Sequence, residues 1–130
     1  MTAEQAPVLI GGTDLENGLH VEFHDASRIM AGDRMQVTLL IRVPLKAVRA
    51  HFSDCAQPDA AYLEFIEFIG EDTAFEQRKV RNFVDRREAP EVLRELREEF
   101  MRSNRSYLSL GYFEKRSILR KYRVWLEQHR

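Results

Sequence analysis

The sequence predicts a single α+β domain in which a small antiparallel sheet of about three strands packs against two or three helices, which lie in the carboxyl-terminal half. Two observations predict this class. Apolar residues alternate with period two between residues 19 and 43, and apolar stripes recur at helical spacing after residue 91. The 130 residues, 44% hydrophobic and 32% charged, suffice for one core. The domain is expected to span residues 18–130 behind a flexible lead-in at 1–17, in which Val8–Ile10 is the candidate strand.

The first half of the chain carries most of the predicted sheet. Residues 19–24 alternate between apolar and polar side chains, which predicts a half-buried strand. The strongest strand pattern follows at Met35–Val43, and Pro44 is expected either to end this strand or to mark a sheet edge. These two strands are expected to pair antiparallel across a long loop, and residues 73–84 are predicted to form a third, largely exposed strand.

The segment between the second and third strands is only partly assigned by its sequence. Residues 45–58 are ambiguous, since Lys46–Ser53 fit either a helical turn or a continuation of the preceding strand. A short helix is predicted from Ala60 onward because apolar residues follow a three-residue beat there. Asp59 is its expected N-cap and Gly70 its expected C-cap.

The carboxyl-terminal half is predicted to form two amphipathic helices joined by a connection at Ser103–Gly111. Pro90 suits the first turn of the first helix, which Asp85 and Glu88 can cap. Tyr122 and Trp125 are expected to lie in the core because they belong to the apolar stripe of the second helix. The two stripes are Val92, Leu93, Leu96, Phe100 and Met101 in the first helix, and Ile118, Leu119, Tyr122, Trp125 and Leu126 in the second.

Charge is distributed unevenly along a chain whose net charge is −1. Residues 1–33 hold six acids and one base, whereas residues 112–130 hold six bases and two acids. The near-zero net charge argues against general electrostatic binding to nucleic acid. The acidic and basic ends can complement each other within the fold or across a dimer. Alternatively, the basic helix can bind an anion or nucleic acid through Arg116, Arg120, Lys121 and Arg123.

Several kinds of site are disfavoured by residue counts and spacing. The single cysteine, Cys55, precludes an internal disulfide and a cysteine-based zinc site. No apolar run reaches the about 20 residues of a membrane-spanning helix and no secretory signal is visible, so a cytoplasmic protein without a membrane partner is expected. Only neighbouring members of His20, Glu22 and His24 could share a metal, so no metal or other cofactor is expected. Cys55 and His51 lack an orienting partner, so no catalytic residue is assigned.

The densest cluster of polar functional groups lies in the loop after the first strand. Its candidate ligand-binding residues are Asp25, Ser27, Arg28, Asp33 and Arg34, joined by Arg81 and Asn82 of the third strand. Asp25-x-Ser27 resembles the Asp-x-Ser-x-x-Gly motif of PilZ domains, which bind cyclic di-GMP. Met30 stands at the glycine position, however, and no Arg-x-x-x-Arg motif precedes it, so this function is rejected. The favoured interpretation is a structural loop, closed by its own hydrogen bonds, a turn at Gly32-Asp33 and an ion pair to Arg81 or an acid of the third strand.

Three segments resemble a group of short uncharacterised bacterial proteins: Ser27-Arg28-x-x-Ala31-Gly32-Asp33-Arg34, Glu76-Gln77 and Arg81–Asp85. The resemblance spans about residues 17–125 and implies a bacterial cytoplasmic origin but no activity. The leading hypothesis is a non-enzymatic binding or assembly module that forms a homodimer, because apolar residues cover both sides of the short helix. The alternatives are an anion or nucleic-acid binder that uses the basic helix, and a small enzyme that uses the 25–34 loop. An unidentified protein or a small anionic ligand is an open choice of partner.

Overall fold

The structure, a computed structural model, describes residues 6–129 and confirms the predicted α+β class. The five strands among these residues are β1 (Val8–Asp14), β2 (His20–Asp25), β3 (Arg28–Ala31), β4 (Arg34–Lys46) and β5 (Asp72–Asp85). The α-helices are α1 (Pro58–Phe68), α2 (Ala89–Leu108) and α3 (Phe113–Gln128). Short 3₁₀ helices occupy Arg49–Phe52 and Arg86–Glu88.

Strand β4 is the centre of a curled antiparallel sheet. It pairs with β5 along its whole length, from Arg34 opposite Asp85 to Lys46 opposite Asp72. On its other edge it pairs first with β3 and then with β2, which in turn pairs with β1. Within residues 6–129, strands β1, β3 and β5 each pair with one neighbour and therefore form the edges of this sheet. The expected antiparallel pairing of the two predicted strands is confirmed as β2 with β4.

Two strands at the start of the chain differ from the sequence-based expectation. Strand β1 contains the candidate strand at Val8–Ile10 and extends it to Asp14, while residues 1–5 of the expected lead-in lie outside the described residues. The expected long loop between β2 and β4 contains β3, which turns into β4 at Gly32-Asp33. Gly32 has a φ of 59°, a left-handed conformation that glycine adopts at little steric cost, so the predicted turn is confirmed.

Strand β4 continues past Pro44, so the first of the two expectations for this residue, the end of the strand, is wrong. Pro44 pairs with Ala74 of β5, beyond the stretch of β4 that pairs with β2. The missing N–H of proline therefore interrupts no hydrogen bond to β2 at this position, which agrees with the alternative of a sheet edge. Both expectations for residues 45–58 are partly met, because the strand runs to Lys46 and a 3₁₀ helix follows at Arg49–Phe52.

The helices also differ from prediction at their ends. Helix α1 begins at Pro58, so the predicted N-cap residue Asp59 lies in the first turn, where a carboxylate still favours the positive end of the helix dipole. Gly70 follows this helix with a φ of 111°, as predicted for a C-cap glycine. Helix α2 extends through most of the connection predicted at Ser103–Gly111, because Leu108 continues its apolar stripe into the core. No α-helix within residues 6–129 is long and apolar enough to cross a membrane.

The core lies between one face of the sheet and the helices. Its members include the inward-facing residues of β4, Val37, Leu39, Ile41 and Val43, and the helix residues Phe100, Leu108, Phe113 and Ile118. Tyr122 is half-buried against this core and donates its hydroxyl to Glu64 at 2.6 Å. Burial and the Glu64 carboxylate raise the pKa of Tyr122 to about 12. The predicted core position of Trp125 is wrong: this residue lies about one turn later, outside the core cluster, and stacks on Phe68 of α1.

The β1–β2 connection is fastened to the end of α2. The side-chain amide of Asn17 donates to the carbonyl of Leu108 at 2.8 Å and to that of Leu110 at 3.0 Å. Glu16 accepts hydrogen bonds from the hydroxyl of Ser109 and, at 3.1 Å, from Arg105. These donors, Ser109 foremost, lower the pKa of Glu16 to about 2. The connection thereby satisfies the carbonyl of Leu108, which has no partner inside the helix, and adds a donor to the carbonyl of Leu110, which also accepts the N–H of Phe113.

Candidate anion-binding groove

The first two residues of the 25–34 cluster close their own loop. The carboxylate of Asp25 accepts the backbone N–H of Ser27 at 2.9 Å, and the hydroxyl oxygen of Ser27 accepts the backbone N–H of Thr38 at 3.0 Å. Both side chains therefore satisfy backbone donors at the point where β2 leads into β3. This is the arrangement expected of a structural loop.

Four other members of the cluster form two separate groups around β4, Arg28 with Asn82 and Asp33 with Arg34. Arg28 donates to Gln36 at 3.0 Å, and the amide of Gln36 donates to Asn82 at 2.9 Å. Arg34 lies 3.9 Å from Asp85, which confirms the expected ion pair to an acid of the third strand, and 3.8 Å from Asp33. The neighbouring N–H and side chain of Arg87 lower the pKa of Asp85, and Arg34 adds to this effect.

Asp25 and Arg81 lie on opposite sides of β4. Asp25 pairs with Leu39 through β2, whereas Arg81 pairs with Val37 through β5 and points its guanidinium to Glu99 at 3.5 Å. The strand between them and their separate partners keep these two candidates from sharing one pocket. The structure therefore joins Arg28 to Asn82 through Gln36 but leaves Asp25 apart from Arg81.

The two histidines of β2 each contact a carboxylate that is close in the sequence. His20 contacts Asp14 at 2.8 Å, and His24 contacts Glu22 at 3.0 Å. The hydrogen bond from His24 lowers the pKa of Glu22, and Arg42 at 3.6 Å contributes further. Among residues 6–129, no three His, Cys, Asp or Glu side chains are grouped so that they could hold a metal ion.

The four cations that the sequence singles out in α3 all line one open groove of about 960 Å³ between α3 and the first half of β5. We call this feature the basic groove. Its cations are Arg116, Arg120, Lys121 and Arg123. Its apolar lining includes Ile69, Phe75, Tyr107, Leu119, Val124 and Trp125, and its remaining polar lining consists of Glu76, Gln77, Ser117 and Gln128.

Helical periodicity explains why the three arginines of the basic groove share one wall. Arg116, Arg120 and Arg123 stand at i, i+4 and i+7, so they form one stripe about 10 Å long on the surface of α3. The buried Ile118 belongs to the opposite side of the helix, which packs on the core. The three arginines are exposed and Lys121 is half-buried. Burial of the apolar stripe therefore turns the cationic stripe outward.

The cations of the basic groove have no anionic partner among the described residues. None of the four makes an ion pair or a side-chain hydrogen bond with residues 6–129, whereas Lys115 in the same helix pairs with Asp54 at 2.6 Å. One carboxylate, that of Glu76, lines the groove, and it lies 3.4 Å from Arg42 of β4. The groove is therefore a region of positive potential on a protein of almost zero net charge.

Trp125, which lines the basic groove, belongs to a stack of aromatic side chains. Trp125 stacks on Phe68 with ring centroids 5.0 Å apart and on His129 with centroids 4.7 Å apart. Sequence reasoning assigned Trp125 to the core and did not assign Phe68 to a site. The position of Phe68 at the end of α1, two residues before Gly70, was the available signal for an exposed aromatic ring.

No family model, curated protein or solved structure matches this chain. The candidate site is accordingly defined by the four cations of the basic groove and by their lack of anionic partners within residues 6–129.

Proposed function

We propose that this protein is a non-enzymatic binding module whose ligand is a polyanion held in the basic groove. The observation that carries the proposal is the row of exposed cations on α3, which have no anionic partner within residues 6–129. Like charges at i and i+4 or i+3 each destabilise a helix by about 0.2–0.5 kcal/mol. Bound anionic groups would relieve this repulsion, and arginine favours phosphate or carboxylate oxygens because its guanidinium can donate two parallel hydrogen bonds.

The acids near the start of the chain support an external ligand, because their partners lie elsewhere. Among the described acids, Asp14 contacts His20, Glu16 contacts Arg105 and Glu22 contacts His24 and Arg42. The sequence permitted an alternative in which the acidic end neutralises the basic helix within one molecule. The ionic contacts of these three acids are with β2, β4 and α2 and not with α3, which favours a partner from outside the chain.

The test is a binding titration with inorganic polyphosphate, with the intrinsic fluorescence of Trp125 as the signal. Trp125 is the one tryptophan of the chain and lines the groove, so its emission reports directly on occupancy. Arg120→Glu should weaken binding at least tenfold. Arg102→Glu, the same charge change at an exposed cation of α2 away from the groove, should change affinity by less than about twofold. Equal losses in both variants, or no binding by the native protein, would contradict the proposal.

A second candidate function is self-association through β1. Val8 and Leu9 are 60% and 61% exposed, and Ile10 is exposed as well. Residues 8–13 carry no charge, whereas the outermost strand on the other side, β5, carries Arg78, Lys79 and Arg81. An edge strand without charges favours pairing with another strand, and a second copy can supply an antiparallel β1 across a two-fold axis.

Sedimentation velocity tests this second candidate. Native protein at micromolar concentration should sediment as a dimer, and Leu9→Lys should convert it to a monomer. Leu63→Lys, at an equally exposed leucine of α1, should leave the dimer intact. A native monomer, or loss of the dimer in both variants, would refute pairing through β1.

A further inference from the structure

We propose that the polyanion of the basic groove is an acidic polypeptide segment, which adds to the sheet as an antiparallel strand along the free edge of β5. The inference rests on the proposed function and adds the class of ligand and its mode of binding. Three observations carry it. Within residues 6–129, β5 leaves backbone groups unpaired along its outer edge, two pockets open beside that edge, and both pockets contain cations.

The direction of the backbone groups in β5 follows from their partners in β4. Thr38 lies opposite Val80, but its backbone groups both point to the other side of β4, where its N–H donates to Ser27 at 3.0 Å and its carbonyl accepts from Ala26 at 3.0 Å. Thr38 and Val80 therefore form a non-hydrogen-bonded pair of the antiparallel ladder. The N–H and carbonyl of Val80 consequently point away from β4, at the edge of the sheet.

The same direction recurs at every second residue, because the pairing of β5 with β4 is regular from Asp72 to Arg81. Glu76 and Arg78 therefore also present their N–H and carbonyl groups at the edge. Within residues 6–129, the one hydrogen bond to these edge groups is a long contact of 3.5 Å from the side chain of Arg81 to the carbonyl of Val80. Such an edge is a template for a further strand, and main-chain hydrogen bonds to it give affinity for an extended peptide.

Two pockets follow one another along this edge. The basic groove contains Phe75 and Gln77 of β5, and a smaller pocket of about 260 Å³ contains Lys79 and Arg81. These four residues lie opposite buried core residues of β4, so they belong to the face of the sheet that packs on the helices. They span about 20 Å of strand, so a peptide paired with β5 would pass both pockets with every second side chain.

The cations along this path can receive acidic side chains. Lys79 is half-buried and makes no ion pair or side-chain hydrogen bond within residues 6–129. Arg81 lies 3.5 Å from Glu99, but both side chains are more than half exposed, so another carboxylate can replace this weak pair. Side chains directly opposite each other in an antiparallel pair have Cβ atoms about 5 Å apart. Carboxylates at every second position of the added strand would therefore reach Lys79, Arg81 and the cations of α3.

The charges of β5 disfavour a second copy of β5 as the added strand. An antiparallel pair of two such edges would bring together Arg78, Lys79 and Arg81 of both copies, and like charges opposite each other destabilise a sheet. Polyphosphate and nucleic acids carry negative charge but have no row of N–H and carbonyl groups at strand spacing. An acidic peptide is the polyanion that satisfies both the cations and the edge.

The first experiment measures the affinity of a nine-residue peptide of alternating threonine and glutamate by fluorescence anisotropy. Its four glutamates fall on one face of an extended strand, and its threonines favour that conformation. Two controls carry the same charge: a peptide of the same composition with its glutamates in one block, and inorganic polyphosphate. Each control should bind at least about fivefold more weakly than the alternating peptide.

Matched N-methylated peptides and protein variants separate the backbone from the charges. With glutamates opposite Lys79 and Arg81, the N–H groups of the intervening threonines point at β5. N-methylation of two central threonines should therefore weaken binding at least about tenfold, whereas N-methylation of two glutamates should change it by less than about threefold. Lys79→Gln should weaken binding about fivefold, and Arg78→Gln, on the opposite face of the same strand, less than about twofold. A thermal melt of each variant confirms that the fold is intact.

Amide hydrogen exchange measured by NMR locates the added strand. The alternating peptide should slow the exchange of the edge N–H groups of Glu76, Arg78 and Val80 at least about tenfold. The N–H groups of Gln77 and Lys79 point at β4 in the free protein, so their exchange should change much less.

The outcomes distinguish failure of this inference from failure of the proposed function. If polyphosphate binds as tightly as the alternating peptide and N-methylation of the threonines has no effect, the groove binds polyanions but strand addition is overturned. Peptide binding that leaves the exchange of the three edge N–H groups unchanged would also overturn it. If neither the peptides nor polyphosphate bind, both proposals are refuted.

Discussion

At position 83, a glycine variant should be more stable than an alanine variant, which is the reverse of the usual order in a strand. Phe83 has a φ of 56°, the left-handed region that side chains with a Cβ atom avoid, and its side chain is 68% exposed. The strain arises at a bulge in β5, where Asn82 and Phe83 together face the single residue Gln36 of β4. Burial of the ring therefore contributes little stability to offset the strained backbone.

The magnitude follows from comparing Phe83→Gly with Phe83→Ala, because both variants lose the same aromatic ring. The left-handed conformation costs a non-glycine residue about 1–2 kcal/mol, while glycine costs a strand about 0.5–1 kcal/mol in backbone entropy. Phe83→Gly should therefore be more stable than Phe83→Ala by about 1 kcal/mol. Thermal melts should show this as a difference of about 4 °C in Tm.

Val80 supplies the control for this comparison. It lies in the regular part of β5, opposite Thr38, and is also exposed. There Val80→Gly should be less stable than Val80→Ala by about 0.5–1 kcal/mol, the opposite sign. If the alanine variant is the more stable one at both positions, the strain assigned to Phe83 is refuted.

Three further predictions concern the attachments between elements. Asn17→Ala should lower the free energy of unfolding by about 1–3 kcal/mol, because the Leu108 carbonyl at the end of α2 loses its donor and the Leu110 carbonyl keeps only the N–H of Phe113; chemical denaturation measures this. Glu16→Gln should lower Tm at neutral pH, but this difference should vanish as pH falls from about 4.5 to about 2, since the native carboxylate has a lowered pKa and its contribution is lost on protonation. A difference that persists at pH 2 would contradict that origin. Trp125→Ala should leave the protein folded and cost less than about 3 kcal/mol, because the ring is only half-buried; complete unfolding in a circular dichroism melt would contradict this.

Local sequence signals predicted the elements that have a single clear periodicity. The alternation at Met35–Val43 identified β4 because its inward-facing residues are buried in the core, and Gly70 marked the end of α1 because its φ suits glycine. Strand β3 was missed because its four residues are all exposed, so no apolar face distinguishes it from a loop. Its pairing depends on the turn at Gly32-Asp33, which brings it onto β4.

Only the cations of the candidate site could be predicted from the sequence. The cations of α3 were visible as a charged helix face, since spacing alone places Arg116, Arg120 and Arg123 in one stripe. The stacking of Trp125 on Phe68 could not be predicted, because Trp125 stands at the margin of the apolar stripe, where helical spacing does not distinguish core from surface. Only the packing of α1 against α3, which brings Phe68 onto Trp125, determines that difference.

The salt dependence of polyphosphate binding tests the central claim, that the basic groove binds a polyanion, most directly. Each phosphate neutralised by a cation contributes about 0.7 to the slope of log affinity against log salt, so four cations predict a slope of about −3. Arg116→Ala, Arg120→Ala and Arg123→Ala should each make the slope shallower by about 0.7, whereas Arg102→Ala should leave it unchanged. A slope near zero, or a slope that the groove variants do not change, would contradict the assignment of the basic groove as the binding site.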